Sequence, residues 1–127
     1  MRTLGISIAR LEPGEVDLAM DYSAEFTQQH GFVHAGIITA GLDSACGIAA
    51  FTLMPAATGI LTVEFKTNLL APARGEQFLA CGRVIRPGRT LTVCQAEVFA
   101  DSSSAEAPPS RTLIAIMSST LIIRPAP

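Results

Sequence analysis

HGFVHAGIITAGLDSACGIAAFTLM, residues 30–54, is a long apolar segment broken near its middle by one carboxylate, Asp43. Small aliphatic and glycine residues over such a length predict a helix over 35–53, buried on most of its surface. On a helical wheel Gly36, Thr39, Asp43 and Gly47 share one stripe with other small residues, while Ile37, Ile38, Leu42 and Ile48 point away. A small stripe lets a second backbone or a ligand come close, and the bulky side chains fill a core behind it. An unpaired buried charge is costly, so Asp43 must have a reason to be there. Two readings stay open: Thr39, Ser44 or a distant arginine satisfies it structurally, or it waits in a cleft as a general base or nucleophile.

The start of the segment adds a second element. HGFVHAG is rich in glycine and has no Ser, Thr or Asp at the helix boundary. Backbone N–H groups at a helix N-terminus point outward, and the helix dipole favours negative charge there. An oxyanion or polarised carbonyl oxygen could be received at that end, unless water or His34 takes those donors. A carbonyl-binding helix end followed two turns later by a carboxylate is compatible with acyl transfer.

A membrane-spanning reading of 35–63 fails on composition. A spanning helix wants about 20 strongly apolar residues, whereas this segment carries Pro55 and many Gly, Ala, Thr and Ser residues. The flanks also read as strands. Residues 3–11 and 15–21 are two short strands joined at EPG, with Val16, Leu18 and Met20 alternating against charged neighbours. After the helix come 60–70, 77–86, 90–99 and 111–123. In the first of these, Leu61, Val63, Phe65 and Leu69 are expected to face one way, and Thr62, Glu64, Lys66 and Asn68 the other. A two-residue turn at Pro87–Gly88 would set Cys81 opposite Cys94. DSSSAEAPPS, 101–110, reads as a mobile polar hairpin tip.

The layout is therefore two strands, one helix and four hairpin-connected antiparallel strands, an α+β order within a single domain spanning 1–127. One apolar helix beside about six strands is covered only if the sheet curls around it. That is what a hotdog fold looks like: one long central helix wrapped by a curved antiparallel sheet.

Composition narrows the roles. Of 127 residues 49% are apolar and only 16% charged, which hints at surface hidden in an oligomer. A net charge of −2 argues against a general nucleic-acid or membrane-surface function. Cys46, Cys81 and Cys94 form neither a disulfide framework nor a metal spacing, and no secretory leader is visible, so a reduced cytoplasm is the expected setting. His30 and His34 lack a further ligand for a metal. No cofactor is called for.

QQHGFVHAGIITAGLDSACGIAA, LTVEFKTNLLAPARGE and GRVIRPGRT together resemble the PaaI-like branch of the hotdog-fold acyl-CoA thioesterases, over nearly the whole chain. The family pattern has a side-chain amide six residues before a histidine, a small pair after it and an acid nine after it. Those positions are Gln28, His34, Ala35–Gly36 and Asp43, and Gly31 also matches. The resemblance implies hydrolysis of an acyl- or aryl-CoA thioester, with coenzyme A as part of the substrate. Asp43 would attack the thioester or activate water, and the Ala35 N–H would polarise the carbonyl. Gln28 would orient the thioester or the water, with Gln29 as the alternative if the loop register shifts. His34 would support the helix start, and Thr62 would carry a hydroxyl near the carboxylate. The family's sites lie between subunits, which implies a homodimer here, either alone or paired further into a dimer-of-dimers homotetramer. Many relatives have two glycines after the histidine; Ala35 keeps the N–H but narrows the approach, which bears on acyl preference.

Arg83, Arg86 and Arg89 around RPGR, with Arg74 in APARGE, are candidates for the CoA phosphates. Phe32, with Ile37 and Leu61, is a candidate for the acyl pocket. Two other classes remain. A hotdog hydratase usually pairs an acid with a histidine, but His34 is nine residues from Asp43, about 180° around an ideal helix. A non-catalytic module would bind acyl-CoA without cleaving it.

Overall fold

The computed structural model describes residues 1–103 and 105–126. In chain order it has β1 (Ile6–Glu12), β2 (Glu15–Asp21), a 3-10 turn (Ala24–Phe26), α1 (Ala35–Phe51), β3 (Thr58–Leu69), β4 (Gln77–Arg86), β5 (Leu91–Ser102) and β6 (Ser110–Pro125). β1 begins later than expected because residues 1–5 coil into a turn closed by Leu4 N–H to Met1 O, with Gly5 at φ +67°. At its other end α1 stops at Phe51, short of residue 53, because its last turn tightens: Leu53 N–H reaches Ala50 O and Met54 N–H reaches Phe51 O. Thr52 fixes that end, donating to Ala49 O and accepting from Gly14 N–H, both at 2.7 Å. Among the described residues no helix is long and apolar enough to cross a membrane. Within 101–110, β5 continues to Ser102 and β6 starts at Ser110; Ser104 lies outside the described residues.

The six strands form one antiparallel sheet in the order β1-β2-β4-β5-β6-β3. This corrects the expectation of four strands joined by successive hairpins, since β3 pairs with β6 and the link to β4 crosses to the far side of that pair. Local alternation specifies a strand but not its partner. The crossing connector is tied at the end of the sheet, where Leu70 and Ala71 N–H both reach Ile114 O and Ala73 O accepts from Val33 N–H at 3.0 Å.

A second correction concerns the cysteines. Cys81 pairs with Glu97 and Cys94 with Val84, so the two thiols are not opposed and lie on opposite faces of the sheet. The connection runs through 87–90 rather than two residues, with a register shift between Val84 and Arg86. Gly88 makes that turn possible, because a Cβ there would lie 2.0 Å from Leu91 O. All three cysteines are free thiols.

α1 packs against all six strands, most closely β4 and β5. Its buried side carries Ile38, Gly41, Leu42, Ala45, Cys46, Ala49 and Ala50. The small residues therefore serve the sheet contact as well as the stripe that bears Asp43. A Cβ on Gly82 of β4 would lie 2.6 Å from the carbonyl of Ala45, which marks a close approach of helix to sheet. Val16, Leu18 and Met20 are buried as their alternation predicts. With Phe78, Val98, Ile114 and Leu121 they complete the core, each large side chain contributing about 1.5–3 kcal/mol when fully buried.

β3 departs from simple alternation. Its register against β6 shifts between Thr62 and Glu64, so Thr62 lies opposite Leu121 and Phe65 opposite Ser119. Leu121 and Ser119 are both buried beneath the helix, so Thr62, Phe65 and Leu69 share the inner face, and Leu61 faces outward. The expected grouping of Leu61, Val63, Phe65 and Leu69 is split by this bulge. β3 is also an edge strand, and Leu61, Val63, Phe65 and Leu69 are all exposed.

Candidate active site

The helix start is organised by His34. Its extended backbone (φ −60°, ψ 137°) makes it the N-cap, and its Nδ1 accepts the Gly36 N–H at 2.9 Å. The boundary that lacks Ser, Thr or Asp is thus capped by an imidazole. Glycine at 36 leaves room for it: a Cβ there would lie 3.1 Å from Nδ1. Because the Gly36 donor is engaged, the Ala35 N–H is the one at this tip without a protein acceptor among the described residues.

Gln28, Phe32, His34 and Ala35 line one open cleft of about 610 Å³. The loop that presents them is closed by a bridge between Thr27 and Val33, by Gln28 N–H to Phe32 O (2.8 Å) and by Gly31 N–H to Gln28 O (3.0 Å), with Gly31 at φ +84°. The Gln28 side chain accepts from His30 N–H, and Gln28 rather than Gln29 lines the cleft. The opposite wall, Leu69–Ala73 and Ile114, was not anticipated. Only the β3–β4 crossover brings it there, and no local pattern signals a crossover.

Asp43 is half-buried on α1, and its Oδ1 accepts the Thr62 hydroxyl at 2.8 Å. Neither Thr39, Ser44 nor an arginine is its partner, and among the described residues no cation pairs with it. The bulge in β3 delivers Thr62 to this face. Behind it Cys46 is buried; burial, then the neighbouring Cys94 and Asp43, push its thiol up to about 12. Along the helix Asp43 is eight residues from Ala35, or about 12 Å at 1.5 Å per residue. A carboxylate and an N–H that act on one carbonyl must both come within about 3 Å of it. One chain therefore cannot complete this pair from its own residues.

The arginines divide. Arg83 is engaged on the outer sheet face, reaching Gln95 Oε1 at 3.0 Å and Glu97 at 3.4 Å. It lines a shallow polar hollow there, away from Gln28 and Ala35. Arg86 and Arg89 flank the β4–β5 turn, beside the end of the sheet where β3 begins, as Ile123 N–H to Thr90 O and the Thr58–Pro125 pair show. The cleft lies where β3 ends, at the other end of this 12-residue strand and roughly 36 Å away. Arg74 lies over the Phe32 ring, 4.9 Å from its centroid. Nor do Phe32, Ile37 and Leu61 form one pocket. Phe32 lines the cleft, Ile37 faces Leu18 and Phe78 across a narrow gap, and Leu61 points outward.

The geometry is thus a helix packed on a six-stranded sheet, a capped N-terminus at a cleft and a carboxylate held by a hydroxyl. Residues 30–107 match the family model of the thioesterase superfamily. A protein named "Putative esterase" from Saccharolobus solfataricus is 35% identical over 74% of this chain and 66% of its own length. One of the same name from Halobacterium salinarum is 30% identical over 87% of this chain and 76% of its own. The crystal structure of a thioesterase family protein from Silicibacter pomeroyi superposes with a TM-score of 0.93 at 48% identity, covering 99% of this chain and 89% of that one. A mutant of the phenylacetic acid degradation protein PaaI from Thermus thermophilus shares the fold, at TM-score 0.80 and 23% identity over 96% of both chains. The chain belongs to the thioesterase superfamily and has the hotdog fold, and by that membership it is a thioester hydrolase.

Proposed function

We propose that this protein hydrolyses acyl-CoA thioesters to free acid and coenzyme A, as a homodimer in which each site takes Asp43 and Thr62 from one chain and Ala35 and Gln28 from the other. The observation that carries this reading is the 12 Å or so between Asp43 and Ala35 within one chain. Two further features support it. β3 is an unpaired edge of 12 residues with exposed leucine, valine and phenylalanine side chains, a form that soluble proteins cover or pair. A β3–β3 pair about a two-fold axis would be antiparallel, carrying the end of one cleft past the start of the other β3. The same symmetry brings Arg86 and Arg89 toward the partner's cleft, where CoA phosphates would need cations. Arg83, already engaged by Glu97, is the weaker candidate. Three free cysteines fit a reduced, cytoplasmic setting.

The chemistry follows from those groups. The Ala35 N–H, at the positive end of the helix, stabilises charge growing on the thioester oxygen. Asp43 takes a proton from water as it attacks the carbonyl, or attacks directly to give an anhydride that water opens. Either route expels the CoA thiolate and leaves the acid. The Thr62 hydroxyl fixes one carboxylate oxygen, so the other is free to act. Gln28 orients the water or the thioester, and His34 holds the loop.

The test is release of free thiol from a panel of short, medium, long and aromatic acyl-CoAs. Asp43→Asn and Asp43→Ala are expected to lower turnover by about a hundredfold or more, the usual range for loss of a general base or nucleophile. Circular dichroism should show the fold intact. Wild-type activity retained in both variants would reject the site. Binding with a raised Tm but no hydrolysis by wild type would favour the non-catalytic reading.

A further inference from the structure

The pairing of Arg74 with Phe32 is built into the backbone. Val33 donates its N–H to Ala73 O, so the residue before Val33 and the residue after Ala73 are neighbours. Arg74 is turned into place by its own N–H, which bonds Pro72 O at 2.9 Å and closes a three-residue turn. The guanidinium then lies 4.9 Å from the centre of the Phe32 ring. Among the described residues Arg74 has no carboxylate partner. Phe32 lines the cleft that holds Gln28 and Ala35, whereas Arg74 is not in its wall. The cation therefore backs the ring from outside the cleft, where ring quadrupole and charge attract.

We propose that Arg74 is a positioning residue for Phe32, holding the ring as a fixed wall against the acyl group and so setting acyl selectivity, instead of holding the CoA phosphates. The inference rests on the thioesterase reading for its substrate. An acyl group that fills the cleft meets the ring, and an acetyl group is too short to depend on it.

The experiment compares wild type, Arg74→Ala, Arg74→Lys, Phe32→Leu and the Arg74→Ala/Phe32→Leu double variant. The measurements are KM and kcat for phenylacetyl-CoA and acetyl-CoA, and inhibition by free CoA. Arg74→Ala is expected to raise KM for phenylacetyl-CoA about threefold more than KM for acetyl-CoA, in line with an exposed cation–π pair. Arg74→Lys should recover part of that difference. In the Phe32→Leu background, loss of Arg74 should add no further selectivity change. Equal rises in both KM values and in the CoA inhibition constant, in either background, would overturn the proposal and return Arg74 to the phosphates. A double-mutant cycle on urea stability needs no turnover: coupling between the two positions supports the pair, and zero coupling rejects it. If wild type cleaves no acyl-CoA, the functional reading fails, and the cycle alone decides whether the pair exists.

Discussion

At the scale of single residues the central contact is Thr62 to Asp43, a hydroxyl donating to a carboxylate at 2.8 Å. Such charge-assisted bonds are short and directional, and this one selects which oxygen of Asp43 remains free. Thr62→Val should keep the shape of β3 and remove the donor. The expected result is a fall in kcat of roughly tenfold, the kinetic equivalent of a lost hydrogen bond to a charged group, with KM and Tm little changed. Asp43 itself was legible in the sequence, because it is the sole charge in a long apolar helix. Its partner was less so. Thr39 and Ser44 are nearer in sequence, but the bulge in β3 turns Thr62 inward, and a bulge leaves no mark on the alternation of side chains. His34 was legible as one of two candidates for the helix-end donors, beside water, but that glycine at 36 leaves room for the ring has no mark in the local pattern.

At the scale of elements, the helix and strands follow from periodicity, and their packing follows from side-chain size. Gly82 is the point where β4 meets Ala45 of α1, and a methyl group there would collide with main chain that has no freedom to move aside. Gly82→Ala should destabilise the protein by about 1–3 kcal/mol, the usual cost of overpacking, measured as a lower urea midpoint. Cys46 and Cys94 report on the same layer, while Cys81 lies on the other face of the sheet. Burial raises Cys46 and Cys81 from 9.0 to about 12 and Cys94 to about 11. Above pH 9 the unfolded chain therefore sheds protons that the folded chain retains. Stability held in full below that pH should decline as pH rises from 9 toward 12, and Cys46→Ala should flatten the slope of urea midpoint against pH. The pairing of β3 with β6, and the offset that separates Cys81 from Cys94, were not legible. Both depend on which strands meet and in what register, and an alternating pattern is satisfied equally by several choices.

At the scale of the whole molecule, the apolar edge strand and the distance between Asp43 and Ala35 support the proposed pairing with a second copy of the chain. Composition supports the same proposal, since so few charges cannot cover a surface of this size without exposing apolar groups. The site's division is open to direct test through Ala35→Pro. Proline is tolerated at the first helical position, and His34 already has the extended backbone a following proline requires, so this change removes the N–H while sparing the helix. Ala35→Pro and Asp43→Asn should each be nearly inactive alone. Unfolded together in equal amounts and refolded, they form mixed dimers in which one site joins an intact Asp43 to an intact Ala35. Thiol release from acyl-CoA is expected to return to roughly a quarter of the wild-type rate, half the dimers being mixed with one working site of two. A mixture no more active than its parts would contradict it, since that is what a site built within a single chain would give.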